Sequence, residues 1–561
     1  MSEGTAGNAR AAGRGGARRH DLDALRAFAM LLGIGLHASM SLNGLPWVVM
    51  DRQPSSLLLV LVLGIHGFRM PLFFLVSGYF SAMLADRRGP VELLKNRAAR
   101  ILVPFLLGLV TIVPLTDWVM GRARQDSALH PEGDPIFAAI IAGDRERVER
   151  LLESGDSARA ATLNLQIHPL EFAVLWEDEP IARLLLERGA DPMEPDRMGN
   201  NALCAACFMG NLPLLEKMCQ QGADAFSATR SGDFPRDFAL KDRRQTRALL
   251  KIFRGKDPED LDRILAGRAE VVAWLDSRGT TPSSRKPESA ESWAADGYRV
   301  LVGGVTLRVP WSREPWNLFL DGLFGHLWFL WYLWWMACGY ATWRLVLAKL
   351  GRGTGRPAPV AVAFTLAVCL SLICQYLMGI IQPEDGAQAF FGPDTSVGLL
   401  PLPHVFAYYL VFFLFGAWWR RAEEGTGWRL GRQWAFCLGC ALLIVFPLGL
   451  ATIGWSRVNP LLQVAFTWMM VIGLTGLFRA VVRGEDSRIR YLMESAYWLY
   501  LAHLPLIIYL QLPLSRPAWP ALVKFVVLLA VAMPILLASY QWLVRYTVIG
   551  RILNGKNPAR V

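Results

Sequence analysis

The chain has 561 residues, 53% of them hydrophobic, with 21 tryptophans and 28 phenylalanines and only 19% charged residues, yet its formal net charge is +11. This profile argues against a soluble enzyme or a nucleic-acid binder and for a polytopic membrane protein, whose surplus of Lys and Arg follows topology and marks no anionic partner. The eight cysteines are scattered without zinc-type paired spacing, so neither a metal site nor a disulfide scaffold is expected.

Residues 1–20 are rich in Gly, Ala and Arg and read as a disordered basic tail. Leu22–Leu42 is the first apolar run long enough to span a bilayer. It has no small-residue cleavage site, so it is expected to remain as a span. Asp23, Arg26 and His37 fall within it. Arg26 and His37 are eleven positions apart, which returns to within about 20° of one helix face after a rise of roughly 16 Å. With Asp23 close to that face, the span carries one polar stripe. Each ionisable group at such depth costs about 2.5–3.5 kcal/mol unless it faces protein or water, so the stripe implies an internal cavity.

The second span, Leu57–Leu84, contains "GIHGFRMPLFFLVSGYF", with His66 and Arg69 three apart on one face and Arg69 near the midplane. "KNRAAR" then brings Arg97 and Arg100 into the third span, Ile101–Met120. These two serve equally well as topological charge or as a grip on phosphates.

About 200 polar residues follow, from Gly121 to Phe324. "LLESGD" at Leu151 and "LLERGADP" at Leu185 are 34 residues apart, and "GAD" returns at Gly222 after a further 33. The stretch "NNALCAACFMGNLPLLEKMCQQGAD" resembles the ankyrin consensus, and residues 128–276 are read as four stacked ankyrin-type repeats, enough to build one continuous core. Cys204 and Cys207, one turn apart, are expected to be small core residues, not a redox pair. Residues 277–324 are read as a linker from Ser277 to Trp293 followed by a surface hairpin in "GYRVLVGGVTLRVPW".

Seven more spans are expected, near Gly325–Thr342, Val360–Ile381, Pro403–Trp419, Trp434–Ile453, Leu461–Phe478, Ser495–Leu512 and Ala521–Val544. His326 opens the first of these and His503 lies near the centre of the sixth. Lys and Arg cluster in alternate connections, such as Arg87 to Arg100, Arg344 to Arg356 and Arg420 to Arg432. Positive-inside reasoning therefore puts both termini in the cytoplasm and the insert outside, in the periplasm of a Gram-negative host. The fold class expected is an all-α polytopic membrane protein of about ten helices (residues 21–120 and 325–548) with an inserted α-helical solenoid and a cytoplasmic tail at 549–561.

Arg26…His37 within "LDALRAFAMLLGIGLHA" resembles the signature of the membrane acyltransferase-3 family. "FRMPLFFLVSGYF", "KNRAARILVPF", "HLWFLWYL" and "YWLYLAHLPLI" are similar to its branch of succinyl transferases that act on periplasmic glucans. The resemblance implies a ten-span core using cytoplasmic acyl-CoA to O-acylate an extracytoplasmic glycan, with His37 catalytic and Arg26, Arg97 and Arg100 holding the donor. Asn96-Arg97 stands where many members carry two adjacent basic residues. The ankyrin-type insert is not part of the family core, and a partner protein or the glycan is expected to bind it.

A thioester reacts slowly with an alcohol, so catalysis needs a base for the hydroxyl and a stabiliser for the developing oxyanion. His37 suits the first task, either as general base or as carrier of the acyl group on its imidazole. Arg69, a Trp indole N–H or a helix end suits the second. Arg69 is also the candidate cation for the carboxylate of a succinyl donor, the acyl group being succinyl or acetyl. His503 and His326 are candidates for acceptor deprotonation, and Asp23 completes the stripe. Two other functions fit intramembrane charge: a proton-coupled transporter, which would show no acyl-CoA-dependent product, and a membrane anchor for the repeat module.

Overall fold

The computed structural model describes residues 19–554 except 46, 52, 130–134, 156–160, 163–165, 198, 230–231, 255–259, 280–292, 309–314, 354, 382–390, 428, 454–456, 483 and 485. Most of the expected linker and of the N-terminal tail therefore lie outside the described residues, while Ser277 and Arg278 at the linker's start are helical and Trp293 at its end begins a helix. Arg19 does not behave as tail: it is fixed to Asp21, Tyr79 and Glu423.

The described chain is almost wholly helical. Its membrane part begins with α1 (His20–Ser39), α2 (Ser56–Arg88), the short α3 (Pro90–Arg97) and α4 (Val103–Leu129). It resumes with α15 (Trp328–Lys349), α16 (Val360–Tyr376), α17 (Pro403–Thr426), α18 (Trp434–Cys440), α19 (Phe446–Ala451), α20 (Asn459–Val481), α21 (Ser487–Ser515), α22 (Ala521–Ser539) and α23 (Val548–Asn554). Seven helical stretches among the described residues are long and apolar enough to cross a membrane: His20–Leu42, Ser56–Arg88, Pro90–Ala123, Trp434–Ala451, Asn459–Val481, Ile489–Ser515 and Ala521–Val544. Helices also stand at the other three expected positions. Of these, α16 is a 17-residue apolar helix, and α15 is rich in Trp and Tyr, whose amphipathic rings weigh little on a hydropathy scale.

The backbone of α2 is the spine of this bundle, packing on α1, α17 and α20. Gly78 of α2 faces the Phe413 carbonyl and Gly416 of α17 faces the Leu75 carbonyl so closely that a Cβ at either would collide with backbone. Small residues give this close approach where lipid offers no hydrophobic drive to association. Pro71 inside α2 has no N–H for the Gly67 carbonyl. Thr467 of α20 supplies the missing bond, its hydroxyl donating to that carbonyl at 2.8 Å.

Between α4 and α15 lies a stack of short helix pairs: α5 (Pro135–Ile141) with α6 (Arg145–Glu153), α7 (Pro169–Trp176) with α8 (Glu179–Glu187), and α9 (Ala202–Met209) with α10 (Leu212–Gln220). Next come α11 (Pro235–Ala239) with α12 (Arg243–Arg254), then α13 (Leu261–Arg278). The repeat in sequence is a repeat of local chemistry. Asp144, Asp178 and Asn211 each cap the second helix of a pair, accepting from an N–H three residues on at 3.0 Å. The turn before each cap needs a left-handed residue, supplied by Gly143, Glu177 and Gly210. Glu177 is held there by Arg254 and Arg263 at 3.0 and 2.6 Å. Cys204 and Cys207 are free, buried thiols in the core of the stack.

The expected hairpin is corrected by the structure. Trp293–Gly304 forms a helix, α14, and among the described residues strand pairing is confined to Thr306–Leu307 (β1) with Trp316–Asn317 (β2). Tyr298 and Val302, one turn apart, face inward, whereas Val300 and Leu301 are exposed. That is a helical, not an alternating, pattern. The Asn317 side chain ends the helix by donating to the carbonyls of Val302 and Gly303 at 2.9 and 3.0 Å.

The two ends of the bundle differ. At one end, Arg19, Tyr79 and Arg479 converge on Glu423, each at 2.8 Å. At the other, Lys524 of α22 and Asp51 of the α1–α2 loop form a fully buried ion pair at 2.5 Å. The helix stack sits at this second end, where α12 packs on α4 and Asp51 acts electrostatically on Arg197. Lys524→Met would leave Asp51 buried without its cation, at a cost of about 3–5 kcal/mol. Thermal unfolding in detergent is expected to show a large loss for this variant, most of it recovered when Asp51→Asn is added.

Candidate active site

The Arg19–Glu423–Tyr79 contact gives a level from which to measure. At about 1.5 Å per residue, Asp23 stands ~6 Å from it along α1, Arg69 ~15 Å along α2, His66 ~20 Å and His37 ~27 Å. Asp23 is therefore not brought to the histidines, whereas Arg69 lies between the two levels.

A cavity of ≈ 800 Å³ opens near the Arg19 end. Arg26, Arg87, Arg88, Arg97, Arg100 and Arg490 line it, with Asp23 and Glu494 as the acids. Asp23 meets Arg26 at 3.7 Å, and Arg490 donates to Glu494 at 3.1 Å. A π-helical turn over Ala98–Leu102 joins α3 to α4, widening the helix where it presents Arg97 and Arg100. Arg97 donates to the Ser81 hydroxyl at 3.0 Å and leaves its Nε without a partner. Further in, the wall turns apolar with Met30, Phe73, Phe329 and Leu330. Such a cavity fits an anion with a long, slim apolar arm.

Above it, three histidines from three helical segments meet. The His37 and His503 rings are 5.2 Å apart, and those of His503 and His326 are 5.3 Å apart. Two are oriented by backbone carbonyls, which only accept. His503 Nδ1 therefore donates to the Tyr500 carbonyl at 2.7 Å, and His326 Nε2 to that of Leu501 at 3.2 Å. In the neutral rings His503 Nε2 and His326 Nδ1 then carry the lone pairs, and neither has a hydrogen-bond partner among the described residues. His37 Nδ1 is likewise unpartnered. The Tyr500 hydroxyl donates to the His326 carbonyl. Gln511 of α21 ties the cluster to the end of α1, donating to the His37 carbonyl at 3.0 Å and accepting from the Trp47 indole at 3.1 Å.

Arg69 reaches from α2 onto α1 and lies over Gly33, one turn from His37. A Cβ at Gly33 would strike its guanidinium. Among the described residues Arg69 has no ion-pair partner, and its Nε makes no hydrogen bond. His66, three residues earlier, pairs with the Pro393 carbonyl at 2.9 Å instead of joining the cluster.

The structure thus brings together His37, His503, His326 and Arg69, and separately Arg26, Arg97, Arg100 and Asp23. Sequence reasoning missed Gln511, Trp47, Tyr500 and the contributions of Arg87, Arg88 and Arg490. A glutamine within the apolar run "LIIYLQLPL" was the available signal for the first, since an amide at that depth needs partners.

A cation-lined cavity at one level and a cluster of basic nitrogens at another define a membrane-embedded group-transfer enzyme. A family model described as an acyltransferase domain matches residues 19–134 and 282–540, well over half of the chain, and the protein belongs to this acyltransferase-3 family. The unmatched interval holds α5 to α13. The glucans biosynthesis protein C of Escherichia coli O1:K1 / APEC is 41% identical over 98 residues. The same holds for that of O139:H28 (strain E24377A / ETEC) and of O9:H4 (strain HS). These stretches cover 18% of this chain and 24% of the relatives' length.

Gly33→Ala is expected to displace the Arg69 guanidinium. Because a misplacement of about 1 Å can cost on the order of 10²-fold in rate, acyl transfer should fall steeply while donor affinity, set lower in the cavity, stays near wild type. Turnover and donor titration of the purified variant check this.

Proposed function

We propose that the protein is a ten-span O-acyltransferase that moves an acyl group from cytoplasmic acyl-CoA to a hydroxyl of an extracytoplasmic glycan. The observation that carries the reading is the continuity of α1. Arg26 and Met30 line the arginine-rich cavity, Gly33 seats Arg69, and His37 stands one turn beyond. The phosphates of CoA suit the arginines, whose forked donors match phosphate oxygens. The slim pantetheine arm suits the apolar wall, so that the thioester arrives beneath His37. The basic connections support a cytoplasmic Arg19 end and a helix stack, read as ankyrin-type, on the periplasmic side of the inner membrane. The glucan named in the relatives supports a glycan acceptor.

In the reaction the thioester C–S bond breaks and a C–O bond forms, and the acceptor proton ends on the CoA sulfur. His37 takes that proton directly, or first accepts the acyl carbon on its ring nitrogen and yields it to the hydroxyl. Arg69 stands where the oxyanion develops; it is also the cation within reach of a succinyl carboxylate. The unpartnered nitrogens of His503 and His326 receive the acceptor proton in the second route.

Mass spectrometry of envelope glycans from cells expressing wild type or His37→Ala is the direct test. A mass increment with wild type alone is expected, and its size names the acyl group. No increment, with both proteins folded and glycan recovered, would count against the reading. Arg97→Ala and Arg100→Ala are expected to raise the KM for acyl-CoA roughly tenfold each, as loss of a charge-assisted hydrogen bond does, with kcat little changed. Deleting residues 128–285 should leave acyl transfer to a soluble acceptor intact; its complete loss would favour a module for which the membrane part is only an anchor.

A further inference from the structure

A second polar constellation lies outside the site described. Tyr298 of α14, Asp394 of the loop before α17 and His404 in the first turn of α17 form a chain. The Tyr298 hydroxyl is 2.9 Å from His404 Nδ1, and His404 Nε2 is 3.5 Å from Asp394 Oδ2. The His404 side chain is only 3% exposed and its ring meets that of Tyr298 edge-on. A carboxylate only accepts, so Nε2 carries the proton and Nδ1 receives the Tyr298 O–H. Asp394 Oδ2 also accepts from the Gly379 N–H at 2.6 Å. The Tyr298 oxygen also faces the backbone N–H of His404; among the described residues its second lone pair and Asp394 Oδ1 keep acceptor capacity for an incoming group. Tyr298 is half-buried and the Asp394 side chain is 24% exposed.

The placement matters. His404 is nineteen residues before Glu423 on α17, about 28 Å along the helix, which is the level of His37. Moreover, His66 of α2 pairs with the Pro393 carbonyl, next to Asp394. The loop carrying Asp394 is thus clipped to the helix that carries Arg69. Two oxygen acceptors, with no donor left over among these three side chains, favour a ligand rich in O–H groups over a phosphate or other anion.

The geometry points to a polyol-binding subsite at Tyr298, His404 and Asp394 that holds neighbouring hydroxyls of a carbohydrate acceptor; this rests on the acyltransferase reading and adds to it the place where the acceptor is recognised. These residues bind and orient the acceptor and touch no reacting bond. A tether that only holds α14 down would affect stability instead.

The experiment uses the full-length protein in detergent with acyl-CoA and a soluble gluco-oligosaccharide. Tyr298→Phe is expected to raise the KM for the oligosaccharide about fivefold and Asp394→Asn roughly tenfold, the scale of one lost neutral or charge-assisted hydrogen bond. Affinity for CoA should stay at the wild-type value, and the unfolding temperature should fall only slightly, by the loss of one buried hydrogen bond. Unchanged oligosaccharide KM in both variants would overturn the subsite, whatever the change in stability. If Asp394→Asn also loses CoA binding it has misfolded, and Tyr298→Phe, which removes a single oxygen, then decides. If the wild type transfers no acyl group, the acyltransferase reading fails by itself. Direct oligosaccharide binding to wild type and Tyr298→Phe still decides the subsite: weaker binding to the variant supports it, and equal binding overturns it.

Discussion

The guanidinium of Arg69 rests on the bare backbone of Gly33, and the arrangement of the upper half of the site depends on that contact. A cation at this depth is expensive unless it faces protein, water or a ligand. Here no carboxylate is supplied among the described residues. The glycine creates a seat that any larger residue would fill, and it does so one turn from His37. Arg69 thereby stands between the arginine-lined cavity and the three histidines, close enough to act electrostatically on all three. One residue lies between the two levels of the site, and the α1–α2 contact fixes it there.

That contact holds only because α2 itself is held. A proline near the middle of a long helix frees a carbonyl that lipid cannot satisfy. Thr467 satisfies it from α20. Half a bundle away, Gly78 and Gly416 let α2 and α17 touch backbone to backbone. The helix that carries His66 and Arg69 is therefore fixed by a hydrogen bond on one side and by close packing on the other. Rigid elements of this kind hold site geometry more tightly than loops.

Much of this was legible in the sequence, for reasons that can be stated. Intramembrane ionisable residues are costly, so Arg26, His37, Arg69 and His503 drew notice without any structure. The 34-residue repeat showed itself in the recurring helix ends "LLESGD", "LLERGADP" and "GAD". Other features were hidden because they depend on partners far along the chain. Nothing local to Gln511 says that it will meet Trp47 and His37, and nothing near Tyr298 announces His404. Asp23 shares a helix face with His37, but a face is not a level, and four residues of rise separate Asp23 from the Arg19 end. The segment around Val300 was misread as alternating because it is short. Its helix is settled by Asn317, which caps it from beyond the strand.

The two levels are also opposite in chemistry. The cavity near the Arg19 end offers hydrogen-bond donors carrying positive charge, whereas the His37 level offers lone pairs on imidazole, phenol and carboxylate oxygen. An anionic donor and a neutral polyol would therefore sort themselves to opposite ends without a moving gate. Acyl transfer from a thiol to an alcohol also releases no net proton, since the hydrogen lost by the hydroxyl is the one gained by the sulfur. In the proposed reaction the protein thus has to pass a proton only between two reacting atoms held near His37, not across the bilayer. Neutral imidazoles with one nitrogen fixed by a carbonyl and the other open are suited to that short transfer. In that reaction they would pass the proton while Arg69, just beneath them, supplies positive charge.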